Sequence, residues 1–149
     1  MSEGRFVLTR IGQTLVVTLE GAADAGCLQP AAEALSHECA RQSADSVVFE
    51  VSGCEVIDLD EFVDLRKLVQ TVEFLGLRCV IAGLRPGTVA YLASAGVSVG
   101  HLRTSLDLEH ALVDLNDVAA TDEAETNAEP NDDSEDAEHD REANYPGPV

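Results

Sequence analysis

The sequence predicts a small mixed α/β domain followed by a disordered acidic tail. Three observations carry this expectation. From SVVFEVS (46–52) onward, short apolar strand-like runs alternate with stretches of helical periodicity, the pattern of parallel strands joined by right-handed crossovers. Two β-branched runs stand together at the start and supply an antiparallel hairpin. Composition then breaks near Asn116. Residues 117–149 hold twelve acids against one base, Arg141, a net charge of −11, while residues 1–116 hold sixteen acids and eight bases, a net −8.

The elements follow in order. FVLTR (6–10) and TLVVTLE (14–20) read as strands, with Gly12 supplying the turn. GAADAG reads as a loop. LQPAAEALSHECARQ (28–42) is a helix on the spacing of Leu28, Ala31, Ala32 and Leu35, with Pro30 suited to a first turn. SVVFEVS is a buried strand. A long helix opens at Asp58 and closes at Gly76, its stripe formed by Phe62, Leu65, Val69 and Val72 with Leu68 and Leu75 beside it. RCVIAG (78–83) is a short strand ended by glycine. A helix from about Thr88 to Ala95 follows, with Gly96 past its end. HLRTS (101–105) is a weak last strand. LDLEHALVDL (106–115) is a final amphipathic helix with Asp107 as its N-cap and Leu108, Leu112 and Leu115 on one face. The expected architecture is about five strands and four helices over residues 1–116.

The tail, DEAETNAEPNDDSEDAEHD and its flanks, lacks apolar periodicity and cannot bury enough surface to offset the entropy of ordering. It keeps the chain in solution and, more sharply, repels acidic partners, so no nucleic-acid partner is expected. No stretch approaches the roughly twenty apolar residues of a membrane span, and the N-terminus has no apolar signal core. The expectation is a cytoplasmic protein without direct membrane insertion. Cys27, Cys39, Cys54 and Cys79 lack CxxC spacing and read as small buried or half-buried thiols, with no metal and no cofactor expected.

VIDLDEFVDL (56–65) is the informative stretch, with four carboxylates between apolar residues. Asp58 as N-cap and Glu61 three residues on form a capping-box pattern, and acids in a first turn complement the helix dipole by roughly 0.3–1 kcal/mol each. A carboxylate active site needs two acids in environments that separate their pKa values, and a magnesium site needs oxygens converging from several elements. One helical turn supplies neither. No nucleophile elbow, Walker A, HExxH or dinucleotide fingerprint occurs. The sequence therefore points away from an enzyme.

The segments VIDLDEFVDLRKLVQTVEFLGLRCVIAGLRPGTVAYLASAGV and TSLDLEHAL resemble the STAS domain (sulphate transporter and anti-sigma factor antagonist), in particular the RsbS and RsbR scaffolds of the bacterial stressosome. The likeness rests on the Ile-Asp pair before a helix, on Phe74-Leu75-Gly76, on the Gly83-Leu84-Arg85-Pro86 turn, on Leu92 to Gly96, and on Leu106 to Glu109. It spans about residues 5–116. Domains of this kind are non-enzymatic docking modules whose helix-start surface is read by a serine kinase and reset by a phosphatase. In the family a phosphoacceptor Ser or Thr follows the Ile-Asp pair, and RsbR-type scaffolds carry a second Thr before the Gly-apolar-Arg-Pro turn. Here those positions hold Leu59 and Ala82, neither of which accepts phosphate.

The resemblance implies a scaffold that assembles with STAS paralogues of the RsbR kind and binds a switch kinase of the RsbT kind, as a homo- or hetero-oligomer. Asp58, Leu59, Asp60, Glu61 and Arg85 are the implied partner-facing residues. Three readings of Leu59 stand open. Asp60 and Glu61 act as a fixed charge near the place of a phosphate, or Leu59 makes an apolar contact with a partner, or Leu59 is an exposed leucine of no special role. Arg85 and Pro86 read first as turn and packing residues, with Arg85 alternatively holding a carboxylate. Ser52, Thr88, Ser94 and Thr104 are other hydroxyls that nothing in the sequence selects. The rival functions are an anti-sigma factor antagonist or a STAS subunit of a membrane transporter. Small-ligand sensing is a third class, weakened by an aromatic content of 4% and the absence of Trp.

Overall fold

A computed structural model describes residues 3–99 and 101–117. Its order is β1 (Arg5–Ile11), β2 (Thr14–Glu20), α1 (Ala25–Arg41), β3 (Ser46–Gly53), α2 (Leu59–Phe74), β4 (Arg78–Ala82), α3 (Pro86–Ser94) and β5 (Thr104–Ser105). Residues 108–117 form a further helix, α4. The chain divides into two compact units after Leu112. The first holds all five strands and α1 to α3, and the described part of the second, residues 113–117, is helical. Asp117, expected in the tail, thus belongs to helix, and the rest of the expected tail lies outside the described residues.

The five strands form one mixed sheet in the order β1-β2-β3-β4-β5, with β1 and β2 antiparallel and every later pair parallel. Each parallel step moves one strand in the same direction. Crossovers of the usual hand then place α1, α2 and α3 on one face. The core agrees: Leu15, Val17 and Leu19 of β2, Val47, Phe49 and Val51 of β3, and Ile81 of β4 join Leu35 of α1, Phe62 and Leu65 of α2, and Leu92 of α3 in one cluster. Val16, Val48 and Val80 point to the opposite face and are buried as well. The inner strands therefore read as unbroken apolar runs rather than alternating ones. On β1 the pattern does alternate, Phe6 and Leu8 half-buried against the core, Val7 and Ile11 exposed.

Several boundaries differ from expectation. Helix α1 starts at Ala25, capped by Asp24, whose carboxylate accepts the Cys27 N–H at 3.1 Å. Ala25 and Gly26, read as loop, are helical. Pro30 stands at the sixth helical position, beyond the first turn, where its missing N–H leaves the Gly26 carbonyl without its helical donor. Helix α3 starts at Pro86, two residues before Thr88. Proline at N1 gives up only an N–H that has no helical partner there, and its fixed φ suits the turn. The weak last strand shrinks to the two residues of β5. The final helix keeps its predicted cap: Asp107 accepts the His110 N–H at 2.9 Å.

Candidate functional site

The carboxyl ends of β3 and β4 feed the N-termini of α2 and α3, so both expected partner-facing segments lie at one end of the sheet. At the start of α2, Asp58 is extended and its Oδ1 accepts the Glu61 N–H at 2.8 Å. Glu61 Oε1 accepts the Asp58 N–H in return at 3.1 Å. The capping box read from sequence is complete. It engages one oxygen of the Glu61 carboxylate, whereas Asp60 at the second helical position is exposed, with no hydrogen bond or ion pair among the described residues. Of the two acids offered as a fixed charge, Asp60 is the more exposed and lies outside the capping box.

Leu59 is half-buried and packs against the core cluster. The reading of Leu59 as an exposed leucine gives way, because the first helical position lies over the core here. The apolar side chain that does face solvent is Val56, 72% exposed, while its neighbour Ile57 is 2% exposed. Sequence reasoning passed over Val56. The signal was the Val-Ile pair itself, since adjacent residues of an extended segment point opposite ways.

At the second segment, Gly83 has φ +87° and lies directly on the end of β3. A Cβ there would stand 2.8 Å from Glu50 Oε2, 2.9 Å from Ser52 Cβ and 3.0 Å from the Ser52 nitrogen. Only glycine fits, for both conformation and space. The chain then reaches Arg85, the exposed residue preceding α3, whose Nη2 donates to the Ser52 carbonyl at 3.0 Å. Arg85 thus fastens the turn to β3, as the packing reading expects. The Ser52 hydroxyl donates to Glu50 Oε1 at 2.8 Å, and the same oxygen accepts the Ser52 N–H at 3.2 Å. Ala82 is fully buried, paired with Glu50 and Ser105 across the sheet. Of the other hydroxyls, Thr88 is buried, while Ser52, Ser94 and Thr104 are exposed.

Beside the α2 start lies an open depression of about 1110 Å³. Glu3, Glu20, Asp24, Glu55, Asp58 and Glu61 are among its lining residues. Among the described residues its one cation is Arg5, held by Glu20 at 2.7 Å. Glu3, Glu20 and Asp24 come from sequence positions far from VIDLDEFVDL, and only the β1–β2 hairpin and the β2–α1 loop bring them there. The depression is acidic and shallow. No group of three potential metal ligands occurs among the described residues.

Three of the cysteines are poor nucleophiles. Burial pushes the Cys54 thiol up to about 11 and the Cys79 thiol up to about 12, and raises Cys27 as well, with Asp24 adding to it. Thiolate chemistry near neutral pH is correspondingly suppressed. Cys27, Cys54 and Cys79 are buried and Cys39 is half-buried, all as free thiols. No helix among the described residues is long and apolar enough to cross a membrane.

No family model and no curated protein matches the sequence. Solved structures do match. The chain is similar to RsbS from Moorella thermoacetica in a serine-to-glutamate variant, with TM-score 0.63 and 24% identity over 78% of this chain and 98% of that one. A chain of the stressosome, described as a signal integration and transduction hub, matches with TM-score 0.63 and 24% identity over 76% of this chain and 98% of that one. The anti-sigma factor antagonist SpoIIAA in its unphosphorylated form matches with TM-score 0.59 and 14% identity over 74% and 96%. The chain has the STAS fold, and its structural neighbours are stressosome RsbS structures and anti-sigma factor antagonists.

Proposed function

We propose that this chain is a non-enzymatic STAS scaffold of a stressosome-type signalling complex, which presents the start of α2 to a switch kinase and assembles with STAS paralogues. The observation that carries the reading is the construction of that start. It is a complete capping box whose first helical residue, Leu59, is turned onto the core and has no hydroxyl, followed by an outward carboxylate on Asp60. A surface of this kind carries negative charge at the positive end of a helix permanently. A phosphate would add about −1.5 to −2 there only when the kinase acts. The second phosphoacceptor-equivalent position, Ala82, lies under cover in the sheet. The chain is therefore read as a member of the assembly that partners recognise but do not switch at the usual residues. Arg85 contributes by holding the neighbouring turn on β3 rather than by gripping a partner carboxylate.

An anti-sigma factor antagonist role is the second reading, supported by the likeness to SpoIIAA. Affinity purification from the native lysate, with mass spectrometry of bound proteins and of phosphosites on this chain, separates the two. The scaffold reading expects STAS paralogues and a switch kinase, with no phosphate on this chain. An anti-sigma factor as sole partner supports the antagonist. Phosphate on Ser52, Ser94 or Thr104 refutes the absence of a switch. Asp60→Asn should weaken capture of the kinase about two- to fivefold, the effect of one dipole-aligned charge, and leave the paralogues bound.

A further inference from the structure

The sheet has two edges of unequal kind. β5 is only two residues long, a common way of blunting an edge. β1 is seven residues long, contains no Pro or Lys, and runs against β2 in unbroken register from Arg5↔Glu20 to Ile11↔Thr14. No strand among the described residues pairs with its outer side. Its two cations are turned inward to the chain's own groups. Arg5 is held by Glu20 at 2.7 Å, and Arg10 reaches Glu38 at 3.3 Å and the Ser43 carbonyl at 2.9 Å. The edge is thus nearly neutral in a chain of net charge −19, and it bears no carboxylate.

The hairpin tells which backbone groups face outward. Gly12 and Gln13 form a two-residue turn closed by Ile11 and Thr14, with φ +63° at Gly12 as primed turns require. The closing pair of such a turn exchanges hydrogen bonds, and strict alternation carries bonded pairing to Thr9, Val7 and Arg5. The N–H and C=O groups of Phe6, Leu8 and Arg10 therefore point away from the sheet.

We propose that β1 pairs with β1 of a second copy, antiparallel about a twofold axis at Leu8, joining two five-stranded sheets into one. In that register Leu8 meets Leu8, Phe6 meets Arg10, Val7 meets Thr9 and Arg5 meets Ile11. The three outward residues of each copy then lie opposite one another as bonded pairs, and every outward group on the edge finds a partner. The exposed apolar residues Val7 and Ile11 of both copies fall on the same face. Like charges are kept apart. The two Arg10 residues stand four positions apart, roughly 14 Å at strand rise, beyond the Debye length of about 8 Å at physiological salt. The two Arg5 residues are farther still. This contact is isologous, as closed twofold assembly requires, and it does not depend on how the start of α2 is used.

Sedimentation equilibrium of the full chain over a range of concentrations, with amide exchange followed by NMR, tests the pairing. The expected result is a concentration-dependent dimer in which the amides of Phe6, Leu8 and Arg10 gain protection, while those of Val7 and Thr9, already bonded to β2, do not change. Leu8→Pro removes the two central donors and should weaken association about ten- to hundredfold. A monomer at every concentration overturns the proposal. So does a dimer in which the Phe6, Leu8 and Arg10 amides stay unprotected, a measurement that needs no variant to fold. A folded Leu8→Pro chain that dimerises as tightly as the original overturns it too.

Discussion

Replacing Gly83 by alanine should unfold this domain more readily than the same change at Gly76, and the difference isolates one physical effect. Both glycines adopt left-handed backbone, φ +87° at Gly83 and +92° at Gly76. Each alanine therefore incurs the left-handed penalty of roughly 1–2 kcal/mol, partly offset by about 0.4–1 kcal/mol from a stiffer unfolded chain. At Gly76 nothing lies within 4 Å of the new Cβ. At Gly83 the Cβ meets Glu50 Oε2 at 2.8 Å, which a flexible carboxylate can relieve, and also Ser52 Cβ at 2.9 Å and Ser52 N at 3.0 Å. The last two belong to the end of β3 and yield only if the backbone shifts. Overpacking of this kind costs typically 1–3 kcal/mol, and that is the expected gap between the variants. With a urea dependence of roughly 2 kcal/mol per molar, the Gly83→Ala midpoint should fall about 0.5–1.5 M below that of Gly76→Ala. Equal midpoints would show that the turn does not lie against β3, and the account of Arg85 bonding to the Ser52 carbonyl would fall with it.

Three further expectations follow from the same structure. Asp58→Ala should cost about 1 kcal/mol in urea melts and Glu61→Ala less, with the double variant losing less than the sum, because each side chain bonds the other's backbone N–H. Strictly additive losses would mean the capping box is not formed in solution. Phe62→Ala should cost about 3–5 kcal/mol and Phe74→Ser within about 0.5 kcal/mol, since the first ring is 0% and the second 91% exposed on the same helix. Comparable losses would contradict the placement of the helix face. The contribution of the Cys54 and Cys79 thiols to stability should be level up to about pH 8.5, the ordinary thiol value, and then decline as pH rises toward about 11–12. The folded chain holds its Cys54 and Cys79 protons there while the unfolded chain has released them. Cys54→Ala with Cys79→Ala should flatten that alkaline slope, and an unchanged slope would refute this cause.

Much of the fold was legible because its signals are local. β2 coincides with TLVVTLE, and β3 extends SVVFEVS by one residue. The apolar stripe predicted for α2 is the set of residues it buries. Asp58, Glu61 and Gly76 mark that helix by chemistry that a few neighbouring residues complete. Where the reading slipped, two local signals competed. Pro30 suggested a first turn, but Asp24 three residues before Cys27 was the stronger cap. The helix read from about Thr88 begins two residues earlier, because Pro86 already fits the first helical position.

The candidate site was legible only in part. Sequence alone determined that α2 opens with a capped acidic turn, and that positions 59 and 82 lack hydroxyls, because capping and side-chain identity need nothing beyond the segment itself. Only the tertiary structure decided that Leu59 faces the core while Val56 faces solvent, that Ala82 is sealed between β3 and β5, and that Glu3, Glu20 and Asp24 join Asp58 and Glu61 around one depression. It also decided that Arg85 is engaged by the Ser52 carbonyl and that β1 ends the sheet, with no strand among the described residues on its outer side. These facts depend on strand order and register. Both are set by how distant apolar faces pack, a cooperative choice that no short window of sequence contains.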